Sequence, residues 1–215
     1  MEQKKERRSF GKWLVDRVYS LVSFAVLVML MWSLVFSFAL RTIVVDGISM
    51  QDTLQNNERM ILIRALYTPE RGDIIVANRI DKSETERLSV STYREPIIKR
   101  VIGLPGDVVE VQKDAVFVNG AKLDEPYVHY ENSRAGTICY VPEGCVFVMG
   151  DHRNASTDSR HTGPVKMENL MGHVVARLGG SKTVEVLEDT KYSGIPKEPS
   201  AELKEKALKE AKKDD

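Results

Sequence analysis

Three short stretches hold most of the residue types able to do chemistry. The first is Gly47-Ile48-Ser49-Met50-Gln51-Asp52-Thr53-Leu54 and the second Lys99-Arg100-Val101-Ile102-Gly103-Leu104-Pro105-Gly106-Asp107. The third is Gly150-Asp151-His152-Arg153-Asn154-Ala155-Ser156-Thr157-Asp158-Ser159-Arg160. A serine hydroxyl is a weak nucleophile until a base takes its proton. A lysine of ordinary pKa, about 10.4, is neutral in roughly one molecule per thousand near neutral pH. It becomes a usable base when burial disfavours the ammonium form. Period-two alternation along Ile97-Ile98-Lys99-Arg100-Val101 sets Lys99 on the face shared by Ile97 and Val101, which is such a desolvated setting. A lysine so placed could serve as base to a serine hydroxyl brought beside it.

A Ser-His-Asp arrangement is the competing chemistry, since His129, His152, His161 and His173 are present and Asp151 precedes His152. None of these histidines sits in a supporting motif, which disfavours a triad. No metal-ligand spacing occurs, so neither metal nor cofactor is expected. Cys139 and Cys145 flank Pro142-Glu143-Gly144, a turn signal, and a disulfide between them is left open.

The elements that must position these residues read as short β-rich runs between turn signals. The expected strands cover residues 42–45, 59–64, 73–79, 96–103, 108–111, 115–118, 137–141, 145–150 and 170–177. Leu104-Pro105-Gly106-Asp107 is a strong turn signal, and Asn119-Gly120 signals a hairpin. The expectation is an all-β catalytic domain over residues 41–180, with a polar insertion around residues 81–95. From residue 181 onward, 17 of 35 residues are charged. This C-terminal tail, 181–215, is expected to be solvated with little packing, carrying at most an exposed helix near residues 201–213.

Ahead of this domain, residues 18–40 contain no charge, and 19 of the 23 are apolar. As a helix the run is about 35 Å long, enough to cross a hydrocarbon core of roughly 30 Å. Lys4, Lys5, Arg7, Arg8, Lys12 and Arg17 precede it, whereas Arg41 is the one basic residue from 41 to 55. The positive-inside rule then keeps residues 1–17 in the cytoplasm and exports everything past Leu40. A cleaved secretory signal is the alternative, with Ser37-Phe38-Ala39 as its small-x-small site, but the run exceeds the usual ~7–15 residues. With 31 basic and 31 acidic residues the chain is formally neutral, which argues against nucleic acid as a partner.

Together the three stretches and the apolar run closely resemble bacterial type I signal peptidase, a membrane-anchored serine protease with a Ser/Lys dyad. The resemblance reaches from the apolar run to about Leu178. It implies a mostly β fold behind a single transmembrane helix, and an enzyme of the bacterial plasma membrane that removes signal peptides from exported preproteins without a cofactor. It implies Ser49 as nucleophile and Lys99 as general base, Ser156 orienting the lysine, and Asp158 paired with Arg160 to support the site. Its partners would be preprotein signal peptides and the lipid bilayer. Small side chains before the cut would enter shallow pockets for which Val45, Met50, Leu54, Ile97 and Ile98 are candidates. Two positions depart from the family pattern: Asp52 stands where proline is common, and Gly47 where some members carry a serine that assists the oxyanion. The alternative is a non-catalytic or self-processing Ser/Lys relative acting in surface-protein assembly.

Overall fold

The computed structural model describes residues 2–51, 53–64, 67–78, 96–129, 131–179 and 183–212. Asp52 and the polar insertion around 81–95 lie outside the described residues. The chain divides into two units, residues 1–40 and residues 41–215.

The first unit is helix α1 (Glu2–Ala39). Its apolar stretch, Gly11–Ser37, spans about 40 Å at 1.5 Å per residue. Among the described residues it is the one helix long and apolar enough to cross a membrane. Leu21, Met29 and Trp32 face outward, as side chains surrounded by lipid would. The helix starts well before the apolar run and stops at Ala39, so Leu40 already opens the first strand.

The second unit is mostly β. Its strands are β1 (Leu40–Val44), β2 (Arg59–Ile63), β3 (Ile74–Asn78), β4 (Pro96–Gly103), β5 (Val108–Val111), β6 (Val116–Val118), β7 (Ala121–Lys122), β8 (Thr137–Tyr140), β9 (Cys145–Met149), β10 (Val165–Lys166), β11 (Leu170–Leu178) and β12 (Val184–Val186). The larger sheet runs β1-β2-β11-β3-β4-β9-β10, with β12 beside β11, and the smaller runs β7-β6-β5-β8. Strand β4 lies between β3, where Ile75 faces Lys99, and β9, where Met149 faces Arg100. Nine of these strands answer to the nine expected runs. Strands β7 and β10 have two residues each, too few for an alternation to show. Asn119 and Gly120 form the two-residue hairpin turn, with Val118 opposite Ala121.

Alternating faces of these strands close three apolar clusters. One gathers Met50, Leu54, Met60, Leu62, Ile74 and Ile98 beneath the first chemical stretch. A second joins Ile102, Val109, Val118, Val141, Phe147 and Met149 between the two sheets. The third, with Ile75, Val101 and Val148, covers the opposite face of the larger sheet.

The C-terminal segment differs from the solvated tail expected of it. Strand β12 pairs with β11, Leu187 packs on the first cluster, and Tyr192 and Ile195 pack on the second. The Asn119 amide donates to the Pro196 carbonyl at 2.9 Å. Helix α3 (Ala201–Ala211) is N-capped by Ser200, buries Ala207 completely, and sets Lys204 over the Tyr140 ring. The charges project outward while sparsely spaced apolar residues make the contacts, an arrangement that a charge count does not register.

Candidate active site

Ser49 lies in a tight turn just past β1. Gln51 N–H donates to the Ile48 carbonyl at 3.0 Å and Leu54 N–H to the Met50 carbonyl at 2.8 Å. Met50 and Leu54, each 1% exposed, pin the turn to the first apolar cluster. Gly47 has φ of +96° and donates its N–H to Asn56 Oδ1. That backbone conformation strains any residue with a Cβ, which is a physical reason for glycine here.

Lys99 projects from the middle of β4 and is 4% exposed. Its Nζ lies 2.8 Å from Ser49 Oγ and donates to the Ile98 carbonyl at 2.9 Å. The two residues, fifty positions apart, are thus in hydrogen-bond contact. Gly150, which follows β9, makes this approach feasible. A Cβ there would fall 2.5 Å from the Ser49 carbonyl oxygen and 2.5 Å from Ser156 Cβ. The His152 backbone N–H also donates to the Ser49 carbonyl, at 3.1 Å.

Ser156, Asp158 and Arg160 converge beside this contact. Ser156 Oγ donates to Asp158 Oδ2 at 2.8 Å, and Arg160 grips both carboxylate oxygens through Nε and Nη2, each at 2.8 Å. Gly150 N–H donates to the same carboxylate at 2.9 Å. Burial alone would push the Asp158 carboxyl up, but Arg160, Gly150 and Ser156 hold it below the usual carboxylate range. Asp158 also caps the short helix α2 (Ser159–Thr162).

A cleft of about 490 Å³ opens at Ser49 and Lys99. Val45, Met50, Ile97 and Ile98 are among the residues that line it, together with Asp46 and Thr157. Leu54 does not take the pocket position expected of it. The Met50–Leu54 turn folds it under the nucleophile stretch, into the core with Met60 and Leu62.

The family model described as signal peptidase, peptidase S26, matches residues 17–178. The chain belongs to this peptidase family. The probable signal peptidase I-2 of Synechocystis is 36% identical over 165 residues, covering 73% of each chain. Signal peptidase I S of Bacillus subtilis is 34% identical over 172 residues, covering 74% of this chain and 84% of that one. A solved signal peptidase I from Enterococcus faecalis is 30% identical, with 51% of this chain and 98% of that chain covered at a TM-score of 0.38.

This peptidase has a second tier of polar residues to which sequence reasoning assigned no role. Arg100 grips Asp151 through Nε at 2.9 Å and Nη2 at 2.7 Å, and its guanidinium lies 4.0 Å over the Tyr127 ring. Burial would lower the Arg100 pKa, but Asp151 raises it further, so the guanidinium stays charged. Arg153, 1% exposed, is paired with Glu125 and donates from Nε to the Gly150 carbonyl. The signal was present: Arg100 adjoins Lys99, and Asp151 and Arg153 lie inside the third stretch. Cys139 and Cys145 are free thiols, and burial together with Cys145 pushes the Cys139 thiol up to about 11.

Proposed function

We propose that this membrane-anchored peptidase removes signal peptides from exported preproteins, with Ser49 as nucleophile and Lys99 as general base. The observation carrying this reading is the 2.8 Å contact between a buried lysine amine and a serine hydroxyl at the wall of an open cleft. In its neutral form the amine takes the Ser49 proton as Oγ attacks the scissile carbonyl, and then delivers it to the leaving amine. The Ser49 backbone N–H is the first candidate donor to the developing oxyanion. Ser156, tied to Asp158 and Arg160, keeps the walls around the lysine in place.

Substrate enters as an extended strand. Strand β4 meets β9 only from Arg100 onward, so the side of residues 96–99 away from β3 faces the cleft. A peptide added there hydrogen-bonds to the backbone, and shallow walls of Val45, Met50, Ile97 and Ile98 select small side chains. Helix α1 holds the domain where cleavage sites emerge, with its basic N-terminus in the cytoplasm and residues 41–215 outside.

The test incubates the full-length chain in detergent micelles with a preprotein and sequences the new N-terminus. Cleavage after an Ala-x-Ala-like segment is expected, with Ser49→Ala and Lys99→Ala each inactive and the double variant little worse. Lys99→Arg is also expected to fail, because a guanidinium stays protonated. Appreciable turnover by Lys99→Arg, or cleavage insensitive to a phenylalanine in place of either alanine, overturns the reading.

A further inference from the structure

Away from the cleft, Asp73, His173 and Asp189 bring three ligand atoms within 4.8 Å of one another. We propose that this group binds a borderline divalent cation of the zinc class, which clasps the C-terminal segment onto the larger sheet. His173 Nε2 lies 3.0 Å from Asp189 Oδ1 and 4.0 Å from Asp73 Oδ1. Ligands placed ~2.0–2.1 Å from a tetrahedral zinc lie roughly 3.4 Å apart, so the two His173 separations stand either side of that spacing, and the two carboxylates, within 4.8 Å, draw together on the ion. An imidazole among the ligands favours zinc over magnesium or calcium, which prefer oxygen alone.

The surroundings orient these groups as the second layer of a metal site does. Asp73 Oδ2 accepts from the Tyr67 hydroxyl and from Glu70 N–H, leaving Oδ1 turned towards His173. Tyr67 thus donates to the oxygen of Asp73 that points away from the imidazole. Its ring stacks on the imidazole with centroids 5.0 Å apart at 15°. Outer hydrogen bonds of this kind set ligand direction and raise metal affinity. The Asp189 side chain is 30% exposed against 8% for Asp73, which leaves an entry path on the Asp189 side.

The three ligands come from separate parts of the chain: the turn before β3, strand β11, and the segment after β12. Asp189 is followed by Thr190, whose hydroxyl accepts from Arg100 Nη1 at 3.2 Å. A bound ion therefore fixes the segment that touches the neighbour of Lys99.

The experiment uses the full-length chain in detergent micelles, freed of metal by a chelator and titrated with zinc chloride, with magnesium chloride in parallel. One zinc per chain is expected, raising Tm by roughly 5 °C at about a hundredfold its Kd, while magnesium does not. Asp189→Asn, a half-exposed isosteric change, should weaken zinc at least about tenfold, and Tyr67→Phe about 10–100-fold. Zinc should also slow tryptic cleavage after the exposed Lys191. Absence of saturable zinc binding, equal affinity in Asp189→Asn, an equal Tm shift with magnesium, or unchanged cleavage at Lys191 each overturns the proposal. None of these readouts depends on peptidase activity, so failure here is separable from failure of the Ser49–Lys99 reading.

Discussion

Thr53, four residues after Ser49, donates its hydroxyl to Asp151 Oδ2 at 2.6 Å across 98 positions of sequence. The same carboxylate is held by Arg100, next to Lys99. The turn bearing the proposed nucleophile and the strand bearing the proposed base are thus tied to one buried anion. Thr53→Val keeps the shape and deletes the donor. It should lower kcat several-fold and cost about 1 kcal/mol of stability. Asp151→Ala strands a buried guanidinium and should cost roughly 3–5 kcal/mol. Thermal unfolding and preprotein turnover measure both; wild-type behaviour of Asp151→Ala would show that the tie is idle.

Gly150 separates Ser49 from Ser156 by little more than its own backbone. Gly150→Ala should depress turnover more than it depresses Tm, because the added Cβ meets the Ser49 carbonyl and Ser156 at the site itself. A loss of at least about 10²-fold in kcat is expected from such a displacement. Normal turnover in this variant would mean that the Ser49 stretch can shift without consequence.

Asp158 makes stability depend on pH in a defined direction. Its folded-state pKa lies below the ordinary value near 3.9, so as pH falls the unfolded chain takes up this proton first. The carboxylate's contribution is complete above about pH 5, shrinks as pH drops through ~4, and is lost once the folded carboxyl is also protonated. Asp158→Asn should therefore be less stable than wild type at pH 7, by about 3–5 kcal/mol because Arg160 is left buried without its charge partner. That gap should close in acid. Denaturant midpoints at pH 7 and pH 3 measure it; a gap of constant size would show that the pairing is not the cause.

The segment after β11 is built into the fold. Tyr192→Ala should cost on the order of 3 kcal/mol through lost packing on the second cluster, and Ala207→Glu should release helix α3 by forcing a charge into a fully buried position. Removal of residues 184–215 should lower Tm by more than either substitution. Unfolding of the truncated chain at the wild-type temperature would show that these contacts add nothing.

Local chemistry was readable along the chain because its signals are local. An uncharged apolar run spells a long helix, Asn119-Gly120 spells a hairpin, and strands such as β4 and β5 follow from β-branched runs bounded by turn residues. Ser49 and Lys99 could be singled out because three stretches together resemble the signal peptidase pattern; a serine or a strand lysine alone is commonplace. Only the tertiary structure decided what stands behind them. Leu54 faces the core rather than the cleft because a turn hydrogen bond, not strand alternation, sets its direction. Thr53, Arg100 and Asp151 become one unit through side-chain geometry that no spacing encodes. The charged C-terminal segment packs because a few apolar residues, Leu187, Tyr192, Ile195 and Ala207, find surfaces built by strands far away in sequence. Burial belongs to the folded surface that receives a side chain, and composition averaged over a segment cannot contain it.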